Sequence, residues 1–235
     1  MLSIDAEAAP EAPRHALVTG VSSGIGAAIA RRLLDQGWRV TGLSRSRPDW
    51  TDAGFDHRAV DLTDTAALAP ALEGLSPSAL IHAAGVMRTA PLGALDHRDT
   101  EILWRLHVDV AARLADALVP RMRDGGRVVL IGSRAAVGSP TRSQYAASKA
   151  AMLALARSWA AELITRGITV NLVAPGVTDT PMLRDPVRAA LPPKMPPIGR
   201  YIRPEEVAAL VCFLLGPEAA AITGQQLLIC GGASL

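Results

Sequence analysis

The segment "HALVTGVSSGIGAAIARRLLDQG", residues 15–37, joins a short apolar run to a helical pattern through three glycines. Apolar residues recur at helical spacing after the glycines, so the segment predicts a strand, a tight turn and an amphipathic helix. Glycine lets the backbone turn sharply and lie close to a pyrophosphate, and the free N–H groups at a helix N-terminus attract anions. Gly20, Gly24 and Gly26 therefore predict a dinucleotide-binding turn, with an ordinary turn that binds nothing as the alternative.

Strand-like runs alternate with helical patterns along the rest of the chain. The predicted strands are 15–19, 39–44, 79–84, 127–132, 168–173 and 226–230, with a weaker one at 57–60. The predicted helices lie near 24–36, 64–73, 98–122, 145–166 and 204–215. This alternation predicts βαβ units, and hence one doubly wound α/β domain of the Rossmann type, with a parallel, seven-stranded sheet and helices on both faces.

Two segments fall outside the alternation. Residues 1–13 are rich in Ala, Pro and Glu and are predicted to form a flexible arm before a catalytic domain at 14–235. The arm has neither the basic nor the apolar region of a secretory signal. Residues 181–204 contain seven prolines and are predicted to form a lid over the substrate.

The composition narrows the function classes. Hydrophobic residues make up 49% and charged residues 20% of the chain, which is typical of a globular protein. A net charge of +2 without clustering argues against nucleic-acid binding, and no apolar run is long enough to span a membrane. Two cysteines, Cys212 and Cys230, and histidines without ligand spacing argue against disulfides and a metal site. We therefore expect a cytoplasmic protein.

A second motif, "SQYAASKAAM" at residues 143–152, places Tyr145 and Lys149 four positions apart. On a helix this spacing puts both side chains on one face. An ammonium near a phenol favours the phenolate and lowers the pKa of the tyrosine, which makes it a usable acid or base at neutral pH. Small neighbours leave room for a ligand to lie against the helix. The spacing alone is a weak signal, so its context has to decide.

The motifs "TGVSSGIG" (19–26) and "YAASK" (145–149) together resemble the classical short-chain dehydrogenase/reductase family. The stretches "VDLTD" (60–64), "HAAG" (82–85) and "VNLVAPGVTDTPM" (170–182) follow in the family's order. The resemblance implies an oxidoreductase that transfers a hydride between a nicotinamide dinucleotide and a small-molecule ketone or secondary alcohol. It also implies a homo-oligomer, a tetramer or dimer, in which helices 98–122 and 145–166 meet their copies, although burial within one subunit explains much of their apolar pattern.

The resemblance also implies a role for each catalytic residue. Tyr145 matches the general acid or base, Lys149 matches the residue that binds the nicotinamide ribose and tunes the tyrosine, and Ser133 matches the hydrogen-bond donor to the substrate oxygen. The interval from Ser133 to Tyr145 is about one residue shorter than in the family, which implies a loop deletion. Ser139 and Ser143 are possible substitutes, but only Ser133 lies at a predicted strand end.

His107 stands where the family often has an asparagine that helps to hold a water in its proton relay. Its imidazole could relay protons, because its unperturbed pKa is near 6.5. The alternative is a packed, hydrogen-bonded core histidine on a mostly apolar helix.

The cofactor-binding residues implied by the motifs also include the ends of later strands. They are Gly20, Ser22, Ser23, Gly24, Ile25, Gly26, Ser44, Arg45, Asp61, Leu62, Ala83, Ala84, Gly85, Tyr145, Lys149, Pro175, Gly176, Val177 and Thr180. At the end of the second strand, an acidic residue would accept the ribose 2′-OH of NAD. Ser44 and Arg45 stand there instead, and an arginine can bind a 2′-phosphate, so NADP(H) is favoured and NAD(H) is possible.

The substrate is less well defined by the sequence. Four arginines fall near the expected pocket mouth and suggest an acidic or phosphorylated substrate, with a solvated surface as the alternative: Arg88, Arg134, Arg142 and Arg184. Two other functions remain open on this fold. One is a catalytically weak dinucleotide-binding sensor or scaffold; the other is a nucleotide-sugar epimerase or dehydratase, which the glycine spacing disfavours.

Overall fold

A computed structural model describes residues 14–184 and 194–235 of the chain. Its strands are β1 (His15–Thr19), β2 (Arg39–Ser44), β3 (Phe55–Ala59), β4 (Ala79–His82), β5 (Arg127–Ile131), β6 (Thr169–Pro175) and β7 (Gln226–Ile229). Within the described residues they form one sheet in the order β3-β2-β1-β4-β5-β6-β7, and every neighbouring pair is parallel. The predicted seven-stranded parallel sheet and the Rossmann-type domain are confirmed.

Helices pack on both faces of this sheet. They are α1 (Gly24–Asp35), α2 (Thr65–Ala71), α3 (His97–Trp104), α4 (Val110–Leu118), α5 (Ser143–Leu163) and α6 (Pro204–Leu215). The segment predicted to be helical near 98–122 is helical from His97 to Arg121, and a π-helical turn, Arg105–Asp109, lies between α3 and α4. In this turn the Val110 N–H donates to the Arg105 carbonyl, five residues back rather than four.

The core consists of two apolar layers, one on each face of the sheet. In β5, Val128 and Leu130 belong to the layer under α4 and α5, whereas Val129 and Ile131 belong to the layer under α1 and α6. Side chains of a strand alternate between its two faces, so a strand that is buried on both faces needs a continuous apolar run. That requirement explains "RVVLI" in β5.

The strand order reverses between β1 and β4, which are adjacent although β2 and β3 lie between them in sequence. In open parallel sheets, ligands bind in the crevice beyond the carboxyl ends of the strands at such a reversal. The glycine turn follows β1, "AAG" at 83–85 follows β4, and Ser133 follows β5. The topology therefore brings the predicted motifs to one edge.

Several predicted boundaries differ from those observed. The strand predicted at 79–84 ends at His82, because the N–H groups of Ala83 and Ala84 donate to the Thr19 hydroxyl instead of to a neighbouring strand. The weak strand predicted at 57–60 begins earlier, at Phe55. The predicted arm (1–13) and the middle of the predicted lid (185–193) lie outside the described residues.

No helix in residues 14–184 or 194–235 has the length and apolar character needed to cross a membrane. In the same ranges, no group of three or more His, Cys, Asp or Glu side chains is arranged to hold a metal ion.

Candidate active site

A cavity of about 700 Å³ opens at the carboxyl edge of the sheet, where the strand order reverses. Every residue that was predicted to bind the cofactor lines it, and so do Ser133 and His107. Ser139 and Ser143 do not line it, so Ser133 is the one of these three serines that shares the cavity wall with Tyr145. A cavity of this size is within the range of small-molecule and cofactor sites.

The glycine turn after β1 leaves backbone instead of side chains facing the cavity. A Cβ atom on Gly26 would lie 2.3 Å from the Gly20 carbonyl oxygen, so no other residue fits at the start of α1. Gly20 and Gly24 have φ values of +73° and +59°, in the left-handed region that favours glycine. The N-terminal N–H groups of α1 begin at this turn and offer donors to an anion.

Thr19, which the sequence analysis did not single out, holds the segment after β4 in place. Its hydroxyl oxygen accepts from the N–H groups of Ala83 (3.0 Å) and Ala84 (2.9 Å). The same hydroxyl lies 3.0 Å from His82 Nδ1, and His82 Nε2 lies 3.0 Å from the Leu106 carbonyl oxygen in the π-helical turn. The hydroxyl therefore donates to Nδ1, and the Nε2–H donates to Leu106. The threonine before the first glycine was the available signal.

Ser133, Tyr145 and Lys149 share the cavity wall, and each is almost completely buried. The Ser133 hydroxyl oxygen accepts from the Ala135 N–H at 3.1 Å, which leaves its own hydrogen to be donated. The Lys149 ammonium donates to the Ile131 carbonyl at 2.8 Å. Burial lowers the pKa of Lys149 from 10.5 to about 7.

His107 lies in the π-helical turn and is fully buried. Its Nε2 accepts from the Val86 N–H at 3.2 Å, and its Nδ1 lies 2.9 Å from the Ser148 hydroxyl. Ser148 in turn donates to the Tyr145 carbonyl at 2.8 Å, so it accepts from the Nδ1–H of His107. Burial first, and then the charge of Lys149, lower the pKa of His107 well below 6.5. The ring is therefore neutral at pH 7, and both of its nitrogens are engaged.

The far end of the cavity is formed at the end of β2. Ser44 donates to the Ser46 carbonyl at 2.8 Å and lies 3.0 Å from His57 Nε2. Arg45 is exposed, lines the cavity and forms no ion pair with a described residue. Asp61 also lines the cavity, and hydrogen bonds from Thr63 hold its pKa below the usual value.

The structure divides the four arginines that were considered for substrate binding. Arg88, Arg134 and Arg142 line the cavity, but Arg184 does not: it pairs with Asp179 at 2.9 Å. Arg184 is therefore removed from the candidates. Arg105, in the π-helical turn, lines the cavity and was missed, because nothing in its local sequence shows which way that turn faces.

Known proteins resemble this chain over most of its length. A family model described as Enoyl-(Acyl carrier protein) reductase matches residues 20–234. The 3-oxoacyl-[acyl-carrier-protein] reductase FabG of Salmonella typhimurium is 34% identical over 234 residues, which covers 92% of this chain and 96% of FabG. The short-chain reductase protein NovJ of Streptomyces niveus is 33% identical, with 92% of each chain covered. A solved dehydrogenase/reductase from Sinorhizobium meliloti 1021 is 32% identical, with a TM-score of 0.81 and 96% of both chains covered.

Proposed function

Because this chain belongs to the short-chain dehydrogenase/reductase family, an oxidoreductase family, we propose that it transfers a hydride between NADP(H) and a ketone or secondary alcohol. The observation that carries the proposal is the shared cavity: Ser133, Tyr145 and Lys149 line the same space as the glycine turn. A reacting carbonyl and a dinucleotide can therefore be bound side by side.

The residues of the glycine turn fit a dinucleotide. The space above Gly26 is too tight for a Cβ atom, and α1 presents N–H groups where a pyrophosphate would lie. Lys149 would bind the nicotinamide ribose, and Arg45 would bind a 2′-phosphate with charge-assisted hydrogen bonds. Positions 44 and 45 hold a serine and an arginine instead of an acidic residue, which supports NADP(H) over NAD(H). When bound, the cofactor supplies or accepts the hydride.

The proton chemistry belongs to Tyr145. Its hydroxyl gives a proton to the carbonyl oxygen during reduction and removes one from the alcohol during oxidation. The Ser133 hydroxyl donates a hydrogen bond to the same oxygen and stabilises the charge that develops there. The cationic form of Lys149, one helical turn from Tyr145, lowers the pKa of the tyrosine.

The test is an assay of NADPH and NADH oxidation at 340 nm with a panel of ketones, run beside Tyr145→Phe. A 3-oxoacyl thioester belongs in the panel because the FabG relative is named for that substrate. We expect turnover that is faster with NADPH and falls by at least about 100-fold in Tyr145→Phe, the scale of general acid–base catalysis. Cofactor binding by the variant, measured by fluorescence, is the control for folding.

Full activity in Tyr145→Phe would contradict the assigned role of the tyrosine. The second candidate, a dinucleotide-binding sensor or scaffold, predicts NADPH binding without turnover of any ketone. Its support is the histidine at position 107 and the short interval between Ser133 and Tyr145. The joint presence of Ser133, Tyr145 and Lys149 in one cavity favours the enzyme.

A further inference from the structure

Arg142 is an arginine in the cavity wall that lacks a partner in the described structure. It lies three residues before Tyr145, and its side chain is partly buried. Its Nε is inaccessible to solvent and has no hydrogen-bond partner, and its guanidinium makes no ion pair with any residue of 14–184 or 194–235. A buried donor without an acceptor costs stability, so it calls for an explanation such as a ligand.

The position of Arg142 at the start of α5 is also unfavourable. It is the N-cap residue, where Ser, Thr, Asp or Asn would accept a hydrogen bond from the helix, and its side chain makes no capping bond. The first turn of α5 contains no acidic residue. A cation at this end is repelled by the positive end of the helix dipole. An anion bound there is stabilised by the dipole and by the Arg142 guanidinium.

The residue before Arg142 adds a second cost. Thr141 is the only described residue other than glycine with a positive φ, at 63°, and it is β-branched. Its carbonyl accepts from the Ala90 N–H at 2.9 Å, which ties this loop to the segment that follows Gly85. Strained backbone of this kind persists where the surrounding structure holds it, commonly at ligand sites. The strained Thr141 backbone directly precedes Arg142, the N-cap residue of α5.

The charges around Tyr145 favour an anion. Arg88 is neutralised by Asp99 at 3.1 Å, but Arg134 and Arg105 line the cavity without an ion pair to any described residue. The described lining residues carry two carboxylates, Asp61 and Glu101, against six basic side chains. The basic groups of the cavity wall therefore exceed the carboxylates before any ligand is bound.

From these observations we propose that the substrate carries an anionic group, a carboxylate or phosphate, and that the Arg142 guanidinium binds it while Tyr145 faces the reacting carbonyl. The proposal rests on the proposed reductase function and names its substrate class. Arg142 lies three residues before Tyr145 at the start of α5 and lines the same cavity, so one bound substrate can place its anion at Arg142 and its carbonyl at Tyr145. Arginine suits this role because its planar fork matches a carboxylate or phosphate in two hydrogen bonds.

The test compares charged ketones with neutral partners of the same shape. The carboxylate arm uses 3-oxobutanoate, 4-oxopentanoate and 5-oxohexanoate with their methyl esters, and the phosphate arm uses dihydroxyacetone phosphate with dihydroxyacetone. We expect kcat/KM of at least one charged member to exceed that of its neutral partner by about tenfold or more, the scale of one hydrogen bond between charged groups. The arm that shows the preference identifies the anion.

Arg142→Gln should reduce this preference to near unity, mainly through KM, and Arg142→Lys should restore part of it. Arg98→Gln is the matched control, because it makes the same charge change at an exposed arginine in the first turn of α3, outside the cavity. Circular dichroism of each variant checks the fold. The proposal would be overturned if the unaltered protein showed no preference for the charged ketones, or if Arg142→Gln left that preference unchanged. Turnover of the neutral esters in the same assay would still support the reductase function.

If no ketone is turned over, calorimetric titration with the same compounds measures binding and tests the anion site directly. Binding of a charged member that exceeds its neutral partner and is lost in Arg142→Gln supports the anion site although the reductase function has failed. Equal or absent binding of every pair overturns the anion site as well.

Discussion

At the scale of single residues, the site depends on which groups can exchange a proton. His107 contacts Tyr145 edge to face, with ring centroids 5.7 Å apart, and its two nitrogens are engaged by Val86 and Ser148. These contacts fit a packed core histidine that bridges the segment after β4 to α5. Both ring nitrogens are hydrogen-bonded in this arrangement, and the proton relay stays a hypothesis beside that of a core histidine.

We therefore expect His107→Asn to keep kcat within tenfold of the unaltered protein or to raise it. An asparagine can still accept from the Val86 N–H and donate toward Ser148. The measurement is kcat for the best ketone of the panel, with Ser148→Ala as a companion that removes the hydroxyl bound to the ring Nδ1 and keeps the imidazole. A loss beyond tenfold in His107→Asn, without a similar loss in Ser148→Ala, would assign the imidazole a specific role.

At the scale of elements, two buried histidines hold the π-helical turn against the sheet. His82 links Thr19 in β1 to the Leu106 carbonyl, and His107 links the turn to Val86 and Ser148. Burial lowers the pKa of His82 to about 3, and the pKa of His107 is also well below 6.5. Both hydrogen-bond patterns require neutral rings, so protonation would break contacts between elements.

This arrangement predicts a loss of stability in acid. An unfolded histidine takes up a proton near pH 6.5, whereas these folded ones do not, so the free energy of unfolding falls as the pH drops from 6.5 toward about 3. His82 contributes a slope of about 1.4 kcal/mol per pH unit in that window, and the lowered pKa of His107 changes the stability in the same direction. Urea unfolding followed by tryptophan fluorescence, at pH values from 7 to 4.5, measures the slope.

The double variant His82→Asn/His107→Asn should show a shallower slope, whatever its stability at pH 7. His97→Asn, at an exposed position in α3, is the control. An unchanged slope in the double variant would mean that other groups, and not these two rings, determine acid stability.

At the scale of the whole molecule, α4 and α5 present a partly apolar groove on the surface away from the cavity. Its floor and walls include Ala112, Val119, Leu155, Trp159 and Leu163. Ala156 and Ala160 are instead buried in the core of the same chain, which accounts for part of the apolar pattern of these helices. The apolar side chains that line the groove are available for contact with a second copy. The homo-oligomer predicted from the sequence stays a prediction.

We expect the protein to form a tetramer or dimer of its 24.6 kDa chain through this groove. Leu155→Glu would bury a charge at such an interface and should shift the mass toward the monomer. Light scattering coupled to size-exclusion chromatography measures the mass, and Arg98→Gln, away from the groove, is the control. A monomeric mass for the unaltered protein would contradict the prediction.

Much of the fold was predictable because its signals are local. The continuous apolar run of β5, the glycines after β1 and the four-residue spacing of Tyr145 and Lys149 are each defined within a few positions of the sequence. Backbone periodicity turns such patterns into strands, turns and helix faces without reference to the rest of the chain. The order of these elements, strand then helix, was enough to predict a parallel sheet and a dinucleotide-binding turn after its first strand.

Only the tertiary structure decided which segments far apart in the chain contact each other. Thr19 and Ala84 are 65 positions apart, and His107 and Ser148 are 41 apart. Whether an arginine faces the cavity, as Arg142 does, or pairs on the surface, as Arg184 does, also follows from the packing of distant elements. Such contacts form only after long loops have closed around a completed core, so no local pattern encodes them.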